Sequence, residues 1–175
     1  MKQKRIEEII RVDHAGEHGA NAIYKGTLDI LGFLGDKKTF KIIDEMAEGE
    51  KKHAKEFDKI ISERSIRPTA LLPLWKVAGY SLGVVSAIHG KNAVMACTEA
   101  VEEVIDKHYS SQIEELEESG SEKELLKSIK QFHAEEVEHE MIAREEGDDS
   151  SSFISIFKDI VRVGCKGAIK VSEKL

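Results

Sequence analysis

An all-α fold is what this sequence predicts, and three observations predict it. Charged residues make up 34% of the chain and aromatic residues 6%, with two prolines, Pro68 and Pro73, a balance that suits long helices better than sheets. Apolar residues recur at spacings of three and four along most of the length, the period of a helix with one buried face. No segment alternates cleanly enough for a strand. At 175 residues the chain is expected to be one domain, 1–175, with a sizeable core.

The elements follow in order. The first helix is expected over 6–31, ended by a turn at Gly32, Gly35 and Asp36. The second covers 39–62, and Arg67-Pro68-Thr69 breaks the chain after it. The third, 74–88, is mostly apolar and ends near Gly90. The fourth covers 92–118. Ser119-Gly120-Ser121 is the next turn, with Ser121 as N-cap of the fifth helix and Glu124 completing a capping box. That helix runs to about residue 146, and Gly147-Asp148-Asp149-Ser150-Ser151-Ser152 forms a polar linker. The last helix, 153–174, is amphipathic.

Four of these helices carry ionisable residues inside their apolar stripes. The first reads Ile6, Ile10, Asp13, Glu17, Ala20, Tyr24, Leu31. The second reads Ile43, Ala47, Glu50, Ala54, Phe57, Ile61, with His53 beside Glu50. The fourth reads Met95, Thr98, Glu102, Ile105, Tyr109, Leu116, and the fifth Leu125, Ile129, Phe132, Glu136, His139, Ala143. Such spacing points carboxylates and imidazoles at the core. A buried unpaired carboxylate costs several kcal/mol, so each needs a compensating charge.

Spacing identifies that charge as metal. Glu50-x-x-His53 and Glu136-x-x-His139 each set two ligands one turn apart, a weak signal in so glutamate-rich a chain. The hairpin symmetry is stronger. Glu17 and Glu50 lie equidistant from the Gly32–Gly35 turn, and Glu102 and Glu136 from the Ser119–Gly120 turn. In an antiparallel helix pair, equidistant residues share a level. The halves read as a repeat, with 33 and 34 positions between the first Glu and the Glu-x-x-His. Two such hairpins joined by one long crossover containing the apolar third helix give a ferritin-like four-helix bundle, followed by the C-terminal amphipathic helix. Four Glu and two His then form a di-iron carboxylate set: Glu17, Glu50, His53, Glu102, Glu136 and His139. Mixed oxygen and nitrogen ligation suits iron or manganese better than zinc. On the fourth helix, Glu99 or Glu103 remains an alternative to Glu102.

Other classes are disfavoured. A net charge of −7 repels phosphate backbones, so nucleic acid is not an expected partner. Cys97 and Cys165 make neither a disulfide framework nor a zinc knuckle and read as free thiols of a reducing compartment. The start, Met1 to Arg5, runs into helical pattern without a signal-peptide core or transit segment, which reads as a cytoplasmic or a trimmed chain. No run of about 20 apolar residues spans a bilayer. The segment 71–88, broken by Pro73 and Lys76, suits lying on a membrane surface.

Several segments resemble the demethoxyubiquinone hydroxylase family. They are Arg11-Val12-Asp13-His14-Ala15-Gly16-Glu17-His18-Gly19-Ala20, Arg67-Pro68-Thr69 with Pro73-Leu74-Trp75, Met95-Ala96-Cys97-Thr98, Val101-Glu102-Glu103, His108-Tyr109 and Glu135-Glu136-Val137-Glu138-His139. The resemblance extends from Arg5 through Gly164-Cys165 and Ser172-Glu173 to Leu175, and no ligand position departs from it. It implies a di-iron monooxygenase of ubiquinone biosynthesis that hydroxylates the demethoxyubiquinol ring. Two iron ions, dioxygen as co-substrate and an external reductant such as NADH go with that reading. The ligands it implies are the six residues reached by spacing.

Further roles are expected around this set. Asp13, one turn before Glu17, is placed to orient a histidine ligand from behind. Tyr109 is a candidate to position the quinol or pass electrons, with His108 assisting it. Ordinary packing or surface roles remain open for all three. A polyprenyl-tailed quinol stays in the bilayer, so the enzyme meets it at the membrane surface. The docking surface is expected at Leu71, Leu72, Leu74, Trp75, Val77, Tyr80, Leu82, Val84 and Val85, with Trp75 at the interface. The last helix joins it through Phe153, Ile154, Ile156, Phe157, Ile160, Val161 and Val163.

This corresponds to peripheral attachment on the cytoplasmic side of a bacterial inner membrane, or on the matrix side of the mitochondrial inner membrane for a trimmed eukaryotic chain. A homo-oligomer and contacts with other ubiquinone-biosynthesis proteins are further expectations. No Gly-rich dinucleotide fingerprint occurs, so a nicotinamide would bind without a Rossmann unit. The alternatives are a ferritin-like iron-storage protein, a rubrerythrin-like peroxide-handling protein and a metal-free helical adaptor. A rubrerythrin usually has a Cys₄ domain that two cysteines cannot build, and a metal-free core would strand the buried charge.

Overall fold

The computed structural model describes residues 3–175 and contains six helices with no strand among them. They are α1 (Gln3–Leu34), α2 (Lys37–Arg64), α3 (Leu72–Ile88), α4 (Lys91–Ser119), α5 (Lys123–Glu146) and α6 (Ser152–Ser172). Met1 and Lys2, part of the expected lead into the first helix, lie outside the described residues.

Side-chain caps start two of the helices, α2 and α6. Gly32 lies inside α1, and the turn is left to Gly35, at φ +76°, and Asp36, whose carboxylate accepts from the Thr39 amide at 3.1 Å. That cap starts α2 earlier than the expected Thr39. Pro73 stands in the first turn of α3, where a missing N–H costs nothing, so the helix begins at Leu72 rather than after the proline. The expected Ser121 cap is not formed. Ser121 pairs with the Ser119 hydroxyl, and Glu122, in the left-handed region at φ 59°, precedes α5 without a side-chain cap. Ser151 caps α6 by accepting from the Phe153 amide.

α1 with α2 and α4 with α5 form two antiparallel hairpins. They meet with α1 against α4 and α2 against α5, and α3 is the crossover between them. Every stripe residue named above is buried except Ile105, which is partly buried. Two apolar plugs fill the bundle. One holds Ile6, Ile10, Phe57, Tyr109, Leu125 and Phe132. The other holds Ala20, Leu31, Ile43, Met46, Met95 and Ala143. The level of Glu17, Glu50, Glu102 and Glu136 lies between them in sequence on every rod.

α3 runs parallel to α1 and touches it backbone to backbone. A Cβ on Gly83 would stand 2.0 Å from the Ile23 carbonyl oxygen, and one on Gly26 2.2 Å from that of Tyr80. Only glycine permits this approach. α6 lies antiparallel to α3: Trp75 donates its indole N–H to Ser172 at 2.9 Å, and His89 stacks on Phe153 at the other end. α6 also packs on α4, where Lys158 pairs with Glu99 and Arg162 with Glu103. No helix among the described residues is long and apolar enough to cross a membrane.

Exposure refines the expected docking face. Leu74, Val77, Tyr80 and Val85 of α3 are exposed, as are Phe153, Ile156, Ile160 and Val163 of α6. Leu71, Leu72 and Trp75 are half-buried, because the start of α3 is tied to the end of α6. Ile154 and Val161, also expected there, are buried in the packing against α4. Tyr80 gives its hydroxyl to Asp29.

Candidate metal centre

Four rods each bring one glutamate to a common level, and two of them add a histidine one turn on. Their exposures are 3% for Glu17, 9% for His139 and 0% for Glu50, His53, Glu102 and Glu136. The ligand atoms form two groups, each lying within 4.8 Å: Glu17, Glu50, His53 and Glu136, and Glu50, Glu102, Glu136 and His139. Glu50 and Glu136 belong to both. Glu50 of α2 and Glu136 of α5 would therefore serve both groups, and Glu17 of α1 and Glu102 of α4 one each.

Both imidazoles turn Nδ1 inward. His53 Nδ1 lies 3.0 Å from Glu136 Oε1 and 3.5 Å from Glu17 Oε2. His139 Nδ1 lies 3.2 Å from Glu136 Oε2 and 3.2 Å from Glu50 Oε1. Outside the cluster, His53 Nε2 meets Glu135 at 2.9 Å. A carboxylate behind a histidine fixes its ring and its tautomer.

The electrostatics call for positive charge. Burial, then repulsion from Glu136, pushes Glu50 and Glu102 far above the ordinary carboxylate range. Burial raises Glu17 as well, against the pull of the nearby His53 imidazole. For Glu136 burial acts upward too, but hydrogen bonds from His139 and His53 hold it down at about 2. Burial opposes charge on the imidazoles, yet the carboxylates raise His53 to about 11 and His139 to about 9. Glu17 Oε2, both Glu50 oxygens and Glu102 Oε2 have no hydrogen-bond partner. Orphaned buried oxygens are rare in native proteins and mark a missing ion or water. Hard oxygen donors plus two nitrogens fit a pair of divalent iron or manganese ions.

Two tyrosines complete the arrangement. Tyr109 of α4 donates to Glu17 of α1, and Tyr24 of α1 donates to Glu102 of α4 at 2.8 Å. Both are 2% exposed. The Tyr24 role was not read from the sequence, although the signal was present: each tyrosine follows the glutamate of its own helix by seven residues. Asn21 was also missed. Its amide donates to the carbonyls of Glu17 and Glu50, at 2.9 and 2.8 Å, and ties α1 to α2 at the site. Glu135, on the flank of α5, stands in a motif quoted above, but its contact with His53 was not read from the sequence.

Asp13 does not reach a histidine of the cluster. It accepts from Gln112 at 2.7 Å and lies 3.3 Å from His108, because its position on α1 faces α4 and not the His-bearing helices. His108 contacts Gln112 and does not hydrogen-bond Tyr109. The alternatives to Glu102 point elsewhere. Glu99 is buried against Lys158 and Arg144, and Glu103 pairs with Arg162 and Lys107. Beside Glu102 lies a narrow seam between α1 and α4, too tight for water, lined by Ala20, Ile23, Tyr24, Thr98 and Val101.

Comparison with known proteins bears on the chemistry. A family model described as "Ubiquinone biosynthesis protein COQ7" matches residues 4–172. The chain is 45% identical over 176 residues to the mitochondrial NADPH-dependent 3-demethoxyubiquinone 3-hydroxylase of Dictyostelium discoideum, covering 100% of this chain and 80% of that protein. It is 44% identical over 177 residues to the protein of that name from Homo sapiens, with the same coverage. It is 40% identical over 170 residues to the 3-demethoxyubiquinol 3-hydroxylase of Rhodospirillum rubrum, covering 97% of this chain and 78% of that protein. The resemblance read from the motifs is met along almost the whole length, and the protein belongs to the COQ7 family of ubiquinone biosynthesis proteins.

Proposed function

We propose that this protein is an oxygen-dependent monooxygenase that hydroxylates the ring of demethoxyubiquinol, using two iron ions held by Glu17, Glu50, His53, Glu102, Glu136 and His139. One observation carries the reading: two ligand groups sharing Glu50 and Glu136, buried in a core with four partnerless carboxylate oxygens. The hydroxylase names of the relatives supply the substrate class. They favour this activity over iron storage or peroxide handling.

Bound there, reduced irons supply the electrons and the coordination sites that activate dioxygen. The chain's own residues do the rest. Tyr24 and Tyr109 hold Glu102 and Glu17 by their outer oxygens, which fixes how far each can swing. Glu135 keeps His53 Nδ1 inward. Phe57, Phe132, Ile10 and Met95 exclude water that would quench an oxidant.

The tail stays in the bilayer, against which α3 and α6 present Leu74, Val77, Val85, Ile156, Ile160 and Val163. Attachment is peripheral. Names of several relatives carry NADPH and a mitochondrial location, where the sequence reading had NADH. The common element is a nicotinamide reductant. Partner proteins and self-association of this chain belong to the same proposal.

The test is spectroscopic and chemical. Mössbauer or EPR spectra of the reduced protein should show two coupled irons per chain. With NADPH, ¹⁸O₂ and a short-tailed demethoxyubiquinone, one labelled oxygen atom should enter the ring. One metal per chain, zinc in place of iron, or unlabelled product would sink the reading.

A further inference from the structure

A second cluster of metal-ligating side chains stands on the outer face of the α1–α2 hairpin. His14 and His18, one turn apart on α1, aim Nε2 at the same oxygen of Asp58 on α2, at 2.9 and 2.8 Å. The rings meet edge to face with centroids 4.6 Å apart, which leaves both nitrogens converging on one point. All three ligand atoms lie within 4.8 Å of one another. His14 is 3% exposed, whereas Asp58 is over half exposed, so the point is walled on the protein side and open to solvent on the other. No other cluster of this kind occurs among the described residues outside the six-residue centre.

We propose that His14, His18 and Asp58 form a third divalent-metal site, of the zinc class, separate from the six-residue centre. Two imidazole nitrogens and one carboxylate oxygen are a donor set zinc takes readily, with water in the remaining position. Zinc bonds of about 2.0–2.1 Å in a tetrahedron place neighbouring ligand atoms about 3.3 Å apart. The two nitrogen–oxygen separations need to widen by only a few tenths of an ångström, and the exposed Asp58 is free to move. Burial holds His14 below its usual value, so its imidazole is neutral and has a lone pair to give near pH 7. His18 and, more weakly, Lys76 of α3 act on His14 as positive groups against Asp58, so affinity here rests on coordinate bonds to nitrogen more than on a general negative field. The ion would join α1 to α2 close to Glu17 and steady the first hairpin from outside. The half-exposed Asp58 side leaves the ion its way in from solvent.

The experiment compares iron-loaded wild type with His18→Ala and Asp58→Asn, both at the open side of the site. After equilibrium dialysis against buffered zinc, iron and zinc are counted separately by mass spectrometry. Wild type should hold one zinc per chain more than either variant, with equal iron in all three. Cobalt in place of zinc should give a tetrahedral absorption band in wild type that both variants lack. Circular dichroism shows that the variants are folded. Equal zinc in wild type and both variants, or the same cobalt band in all, overturns the site. The zinc difference decides this proposal even if iron falls short of two per chain, an outcome that would instead count against the hydroxylase centre.

Discussion

Tyr24 and Tyr109 exchange hydrogen bonds across the bundle. Each sits two turns beyond the glutamate of its own helix and donates to the glutamate of the other, Tyr24 to Glu102 and Tyr109 to Glu17. The exchange is reciprocal because α1 and α4 run antiparallel and carry the same seven-residue spacing from glutamate to tyrosine. It gives the centre an approximate twofold symmetry that extends beyond the six ligands.

Removing either hydroxyl should loosen the carboxylate it holds. Tyr24→Phe and Tyr109→Phe are each expected to weaken iron binding about 10–100-fold, the usual effect of losing a group behind a ligand. Chelator competition measures this. Wild-type affinity in Tyr24→Phe would show that the bond does not position Glu102.

Metal loading should stabilise the fold, since four buried glutamates otherwise face one another with two imidazoles as the only counter-charge. A cation at 100 times its dissociation constant contributes about 2.7 kcal/mol per site, a rise in Tm of about 5–10 °C for a chain of this size. Glu50→Gln should remove most of that rise. It should also leave the metal-free protein at least as stable as wild type, because the amide replaces a carboxyl that burial and repulsion from Glu136 already hold in its neutral form. Calorimetry with and without chelator checks both.

Membrane attachment is tested at residues that are exposed and otherwise unengaged. Val77→Glu with Ile160→Glu should lower partition onto anionic vesicles at least about tenfold, since burying such side chains contributes about 1.5–3 kcal/mol each. Sedimentation with liposomes reads it. Trp75 is a poorer target, because its indole bonds Ser172 and its loss would loosen α3 from α6. Unchanged partition would move the docking surface elsewhere.

Lys158 is 5% exposed and lies 2.7 Å from Glu99. Lys158→Ala leaves that carboxylate buried with only the more distant Arg144 at 3.2 Å. Breaking a buried pair from one side costs about 3 kcal/mol, which corresponds to a fall in Tm of about 6–12 °C. A scanning calorimetry trace within 2 °C of wild type, where "2 °C" is about the smallest shift of 1 kcal/mol, would show that Glu99 does not depend on it.

The sequence by itself determined the number and order of the helices and the residues that share a level. Both follow from local periodicity and from counting outward from a turn, which needs no knowledge of the partner. Glu17 with Glu50, and Glu102 with Glu136, were legible for that reason. What only the tertiary structure decided is where each remaining polar group points. Asp13 lies on the same stripe as Glu17, yet it meets Gln112 and His108 because α4, and not α2 or α5, packs over it there. Glu99, Glu102 and Glu103 differ by at most four positions, and α6, with Arg144 of α5 and Lys107, draws two of them away from the centre. Helix rotation and the choice of neighbour come from burial summed over whole faces. A residue's own spacing does not carry that information.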